Sequence, residues 1–164
     1  MSTAIDRTDR VILEALAKNA RISNAELAER VHLTPTPCLR RLRRLEESGI
    51  IQGYTVRLDH AALGLGISAL IFVQLERNSL DNANHFEAAV RELPEVTECS
   101  VLTGAHDYLL RVTVQDLEHY ERFVKESLAS IPQVANIDTR IVLKQVLSRS
   151  LVALTERALS QGTG

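Results

Sequence analysis

Apolar positions in the first third of the chain recur at helical spacing. Ile5, Ile12, Leu13 and Leu16 predict a first helix from about Asp6 to Asn19. Ser23-Asn-Ala-Glu26 has the spacing of a capping box: the serine oxygen accepts from the third amide and the glutamate reaches back. It opens a second helix whose stripe is Leu27, Ala28 and Val31, followed by a short turn at His32-Leu33. Thr34 suits an N-cap, and Pro35 the first helical position, where a missing N–H costs nothing. Pro37 still falls in the first turn of this third helix, which ends at Ser48-Gly49. At about 100° per residue, Cys38, Leu39, Leu42 and Leu45 of the third helix share an arc of about 120°. Thr36, Pro37, Arg40, Arg41, Arg43 and Arg44 spread over the opposite side. One face packs and the other presents guanidinium and small polar groups, the arrangement of a helix-turn-helix.

From Ile50 to Leu58 the residues are β-rich, and a short strand is expected there. Residues 58–66, with Gly64-Leu-Gly66, read as a linker or hinge. Ile67 to Glu76 alternates as a strand. One of its faces is Ile67, Ala69, Ile71, Val73 and Leu75; the other is Ser68, Leu70, Phe72, Gln74 and Glu76, apolar at its centre. Ala83, Phe86, Val90 and Leu93 predict a helix over residues 80–93. Val96–Thr103 and Tyr108–Val114 read as strands joined by a hairpin at Gly104-Ala-His-Asp107. Asp116 caps a helix striped by Leu117, Tyr120, Val124, Leu128 and Ile131, and Ile137–Leu147 reads as a last strand. The order βαββαβ is the ferredoxin-like pattern, so the chain is expected to be α+β: a winged-helix-like helix-turn-helix domain, then a ferredoxin-like domain. The expected divisions are 1–57, a linker at 58–66, 67–147, and a tail at 148–164 with a short fraying helix.

With helices on one sheet face, Leu70 and Phe72 lie on the other, along with Leu109 or Leu110. A half-apolar open face calls for a partner, most simply a second copy of the chain.

Composition narrows the chemistry. The chain has 164 residues, 45% hydrophobic and 24% charged, ordinary values for a globular protein. The net charge of −2 hides a split. Residues 1–57 hold 10 basic and 7 acidic side chains; the remainder hold 9 and 14. Thr34 to Arg44 carries four arginines and no acid. A local basic face on a mildly acidic protein suits a polyanion, although a solvated arginine face reads the same way in the charge pattern alone. A helix N-terminus and threonine hydroxyls meet phosphates, and arginine pairs with guanine or phosphate. The DNA-facing set is Ser23, Thr34, Thr36, Pro37, Arg40, Arg41, Arg43 and Arg44. Gly64-x-Gly66 precedes a strand, not a helix, and is no nucleotide fingerprint. No apolar run is long enough to span a bilayer, and Met1–Arg7 has no apolar signal core, so the expected compartment is the cytosol.

Several stretches together resemble the Lrp/AsnC family of prokaryotic transcription regulators. They are Ile5-Asp-Arg-Thr-Asp-Arg-Val-Ile-Leu13, Asn19-Ala-Arg-Ile-Ser23, Glu26-Leu-Ala-Glu-Arg-Val31, Leu33 to Glu46, and Gly49-Ile-Ile-Gln-Gly-Tyr54. Gly104-Ala-His-Asp-Tyr108 resembles the family's Gly-x-x-Asp-Tyr effector loop. The resemblance is closer to leucine-responsive than to asparagine-responsive members; Asp59-His60 departs from a more usual Asp-Pro in the linker. It implies double-stranded DNA as partner and a homodimer built through the sheets, with dimers assembling into octameric discs. It also implies an amino-acid effector at Gly104, Ala105, His106, Asp107 and Tyr108, and no other cofactor. Glycine lets backbone amides approach a carboxylate, and Asp107 suits an ammonium group. The same residues also suit a plain hairpin turn.

Catalysis is not expected. Cys99, His106 and Asp107 are a nucleophile set only on paper, because adjacent turn residues need not converge. The five histidines show no metal-ligand spacing, and two cysteines make no disulfide framework. Cys38 lies on the apolar arc and reads as a small buried residue. The alternative is an amino-acid-sensing module whose helical part binds another protein.

Overall fold

The first two helices start where side chains supply a cap, and the third starts on prolines. In the computed structural model, which describes residues 5–77 and 79–148, α1 (Arg7–Lys18) is capped by Asp6 and α2 (Asn24–Arg30) by Ser23. Both are reciprocal boxes: Asp9 N–H donates to Asp6 at 2.8 Å and Glu26 N–H donates to Ser23 Oγ at 3.2 Å. His32 closes α2 in the left-handed region at φ 54, and Leu33 N–H donates to Ala28 at 2.9 Å, which turns the chain into α3 (Pro35–Glu47). Ile12, Ala15, Leu27, Ala28, Cys38 and Leu45 form the core of this helical unit. The apolar arc of α3 is therefore the packed side, Cys38 included.

The expected strand at Ile50–Leu58 is absent: the segment makes no ladder with any described strand. β-rich residues do not make a strand without a hydrogen-bonding neighbour.

The second compact unit, Leu58–Val146, is built on β1 (Ile67–Leu75). It continues through α4 (Leu80–Arg91), β2 (Val96–Val101), β3 (Tyr108–Val114), α5 (Leu117–Arg122) and β4 (Val134–Ile141). The sheet order is β2-β3-β1-β4, antiparallel throughout. That is the ferredoxin-like arrangement. Asp116 caps α5 by accepting from His119 N–H at 2.7 Å. Past Arg122 the helix widens into π-type turns over Phe123–Leu128, closed by Ala129 N–H on Val124 O at 2.8 Å. The core lies between sheet and helices: Ala69, Ile71, Val73, Tyr108, Leu110, Val112, Val114, Phe86, Phe123 and Leu128 are all buried.

The last strand begins and ends earlier than the expected Ile137–Leu147. Its partner dictates this. β4 pairs with β1 from Val134↔Leu75 to Ala69↔Ile141, and Val142 N–H on Ser68 O at 2.8 Å is the last ladder contact. Beyond it β1 offers nothing to pair with. The helix expected at 80–93 stops at Arg91, and the strand expected to reach Thr103 stops at Val101. Among the described residues no helix is long and apolar enough to cross a membrane. The tail expected over 148–164, with its fraying helix, lies outside the described residues apart from Ser148.

Phe86 is fully buried, with its ring centroid 4.6 Å from that of Tyr108. Phe86→Ala is expected to lower the unfolding free energy by about 3–5 kcal/mol through lost burial and a residual cavity. Urea denaturation of the full chain measures it; a loss below about 1 kcal/mol would mean the core is anchored elsewhere.

Candidate functional sites

The outward side of α3 divides its four arginines into two pairs. Arg41 Nη1 reaches Asp6 Oδ2 at 2.5 Å and Asp9 Oδ1 at 2.9 Å. Arg44 Nη2 bonds the other oxygen of Asp9. Asp9 is completely buried, so its carboxylate is held inside the helical unit by two guanidinium groups. Its Oδ2 also accepts from Asp6 N–H at 3.1 Å. Asp6 is held below the usual carboxylate range, first by the backbone N–H of Asp9 and then by Arg41. The Arg41 guanidinium is correspondingly raised, by its hydrogen bonds to Asp6 and then Asp9.

Arg40 and Arg43 are exposed and have no partner among the described residues. Thr34 and Thr36 are exposed too, and Thr34 spends no side-chain bond on capping the helix. Pro37 is half-buried in the first turn. Thr36, Leu39, Arg40, Arg41, Arg43, Arg44 and Glu47 line one open groove. Ser23 lies apart, at the start of α2, with its hydroxyl donating to Glu26 Oε2 at 2.9 Å. Asn24 Nδ2 donates to Pro35 O at 2.9 Å and joins the starts of α2 and α3. The role of Asp9 escaped the sequence reading. Its one signal was an acid on the side of the first helix that turns inward.

In the loop between β2 and β3, Gly104 has φ +117, a left-handed conformation that side chains rarely adopt. The N–H groups of Gly104, Ala105 and His106 make no backbone hydrogen bond among the described residues. His106 leans on Phe72, ring centroids 5.3 Å apart. Asp107 is stitched to β1: its N–H donates to Val73 O at 2.9 Å, and its Oδ2 accepts from Leu75 N–H at 2.8 Å. Tyr108 points inward, 3% exposed, and donates its hydroxyl to Glu87 Oε1 at 3.0 Å. Burial, and then the Glu87 carboxylate, push its pKa up to about 12. Four loop residues thus stand at the rim while the tyrosine anchors them from beneath.

On the open sheet face Leu70 and Phe72 are half-buried, and Leu109 sits across from Phe72. Leu110 belongs to the helix-covered side and is fully buried. Ion pairs border the patch: Arg111 Nε to Glu98 at 3.2 Å, and Arg140 to Asp138.

The imagined nucleophile set does not converge. Cys99 pairs with Leu110 on the helix-covered side, whereas His106 contacts Phe72 on the other. Among the described residues no group of histidine, cysteine and carboxylate side chains is placed to hold a metal ion.

Residues 5–52 match the family model described as a winged helix-turn-helix DNA-binding domain. Residues 68–152 match the Lrp/AsnC ligand binding domain. The chain is 40% identical over 153 residues to the leucine-responsive regulatory proteins of Salmonella typhimurium and of Escherichia coli K12, covering 93% of each partner. Among solved structures it is similar to a transcriptional regulator of Neisseria meningitidis in complex with L-Met. That match has TM-score 0.86 and 40% identity, over 92% of this chain and 99% of that one. It is also similar to Escherichia coli AsnC, with TM-score 0.85 and 28% identity over 92% and 99% of the two chains. A helix-turn-helix with an arginine-bearing third helix, joined to a four-stranded antiparallel ligand-binding domain and matched across nearly its whole length by these regulators, belongs to the Lrp/AsnC family: the chain is a DNA-binding transcription regulator and not an enzyme.

Proposed function

We propose that this regulator reads double-stranded DNA through Thr34, Thr36, Pro37, Arg40 and Arg43, with Ser23 near a phosphate, and answers to a free amino acid bound at Gly104–Tyr108. DNA binding is assigned to residues 1–57 and effector binding and dimerisation to 67–147, joined by the linker at 58–66, in a cytosolic protein. The observation that carries the DNA reading is the split among the arginines. Among the described residues Arg40 and Arg43 have no partner, while Arg41 and Arg44 bond Asp6 and Asp9. Support for the effector reading is the run of loop amides without a backbone partner among the described residues, which suits a carboxylate, and the complex of the Neisseria regulator with L-Met. Leu70, Phe72 and Leu109 form a homodimer interface, and dimers assemble further into octamers.

Arg40→Ala with Arg43→Ala is expected to weaken operator binding without lowering the melting temperature. Each arginine that contacts phosphate should reduce the salt slope by about one unit, and one that reads a base should relax sequence preference. Arg41→Ala with Arg44→Ala is expected to behave differently. It leaves a buried carboxylate unpaired and should cost about 3–5 kcal/mol of stability. Fluorescence anisotropy at several salt concentrations, run beside thermal melts, separates the two. Equal operator affinity in wild type and the Arg40/Arg43 variant at matched salt would overturn the reading face.

Phe72→Asp places a charge in the proposed interface, at a cost of several kcal/mol. Light scattering is expected to show a dimer or its multiples for wild type and a smaller species for the variant. A wild-type monomer at micromolar concentration would end the dimer assignment.

A thermal-shift screen of the twenty amino acids tests the effector. A ligand at 100 times its Kd stabilises by about 2.7 kcal/mol. Asp107→Asn keeps an acceptor for Leu75 N–H but removes the charge, and is expected to abolish the shift. The same shift in both proteins would place the ligand away from the loop.

A further inference from the structure

On the helix-covered side of the β2 edge lies a cavity of about 330 Å³, lined by Glu87, Val90 and Arg91 of α4 and by Cys99 and Val101 of β2. Ligand clefts run from about 300 to 1,000 Å³, so this one suits a very small molecule. Its charges are arranged unusually. A glutamate followed four residues later by an arginine normally pairs with it along the helix. Here Glu87 turns to the Tyr108 hydroxyl, and no described group bonds Arg91. A carboxylate and an unpaired guanidinium therefore stand beside the same small space. The Cys99 thiol senses both. Burial raises its pKa, Glu87 raises it further, and Arg91 opposes them. The apolar part of the lining is Val90, which is buried, and Val101, which is largely exposed.

We propose that this cavity is a second amino-acid site, separate from the exposed amides of the loop, for a neutral amino acid with a short apolar side chain. Arg91 takes the α-carboxylate, the free oxygen of Glu87 takes the α-ammonium, and Val90 and Val101 take the side chain. The charge pair selects a zwitterion: an amine or a carboxylic acid alone satisfies one half and leaves the other desolvated. The two valines favour an apolar side chain over a polar one. The proposal rests on the reading that this domain binds free amino acids. It adds a consequence for the loop. An ammonium on the free oxygen of Glu87 draws carboxylate charge away from the oxygen that accepts the Tyr108 hydroxyl, the buried anchor of Gly104–Tyr108, so occupation of the cavity reaches the loop by weakening one hydrogen bond.

Cys99 supplies the test, because it is exposed while Cys38 is buried. Alkylation of Cys99 by iodoacetamide at about pH 8.5, near the ordinary thiol pKa, is followed by mass spectrometry on the full-length protein. Glycine, L-alanine and L-valine are tested singly, with isovalerate and L-valinamide as one-charge controls. At ten times its Kd, an amino acid in the cavity should slow labelling about tenfold, because only the empty site reacts. The controls should not. Protection, read as the ratio of labelling rates without and with ligand in the same variant, should persist in Asp107→Asn and disappear in Arg91→Gln. The melting temperature of Arg91→Gln should match wild type, and its ligand-free labelling should be slower because Arg91 no longer holds the Cys99 thiol pKa down. If amino acids raise the melting temperature but leave Cys99 labelling unchanged, the loop reading stands and the cavity proposal falls. Protection lost in Asp107→Asn would overturn a separate site, whatever Arg91→Gln does. No protection and no thermal shift with any amino acid would overturn this proposal and the effector reading together.

Discussion

The alternation of β1 sets the organisation of the ligand-binding domain. β1 is hydrogen-bonded on both edges, so its side chains have only two directions. Ala69, Ile71, Val73 and Leu75 face the helices and are buried. Ser68, Leu70, Phe72 and Gln74 face the other way. A slip of one residue would put Phe72 in the core and Ile71 in solvent, so the register is held by burial itself. The C-terminal end of the same strand receives the loop: Val73 O and Leu75 N–H both bond Asp107, and Phe72 meets His106. One strand therefore carries the core, the proposed self-association face and the footing of the proposed effector loop.

In the helical unit the corresponding constraint is a charge. Burying the Asp9 carboxylate is tolerable only because two guanidinium groups reach it, and both come from α3. Apolar packing alone places α3 against α1 and α2 but leaves some freedom of rotation about its own axis. Two directed ion pairs remove that freedom. They also explain why a basic helix commits two of its four arginines to the acids of α1. An arginine held in a fixed pair cannot adapt to a phosphate without giving up its bond to buried Asp9, whereas Arg40 and Arg43 have no bond to a described residue to give up.

Local signals carried most of this architecture in the sequence. Helix starts were legible at Ser23 and Asp116, because a cap is a contact over three residues, and at Pro35, because proline suits the first turn; the expected side-chain cap from Thr34 is not made. Strand and helix order followed from periodicity. What stayed hidden depends on distant partners. The strand expected at Ile50–Leu58 has the right residues and no ladder partner, and the end of β4 is decided by where β1 begins, more than sixty residues earlier. The wheel of the third helix separated arginines from leucines but could not divide the arginines among themselves, since the acids that claim Arg41 and Arg44 lie 35 positions away. In the loop, sequence placed Gly104–Asp107 between two strands but could not show that Tyr108 points inward.

That inward turn changes what the loop motif does physically. A rim tyrosine is ordinarily read as a surface for ligand. Here its ring packs on Phe86, and its hydroxyl is committed to Glu87, with a pKa raised to about 12. The glycine and aspartate contribute differently: Gly104 exposes backbone donors, and Asp107 fixes the loop to β1 through its own acceptor. The motif thus combines one residue that opens the backbone, one that fastens it laterally and one that fastens it from below. A ligand that meets the exposed amides works against a held loop and loses little to ordering it, which favours binding. A change at Glu87 would loosen the same loop from beneath without touching its outer surface. Loop geometry is therefore set by β1 and α4 as well as by the strands it joins.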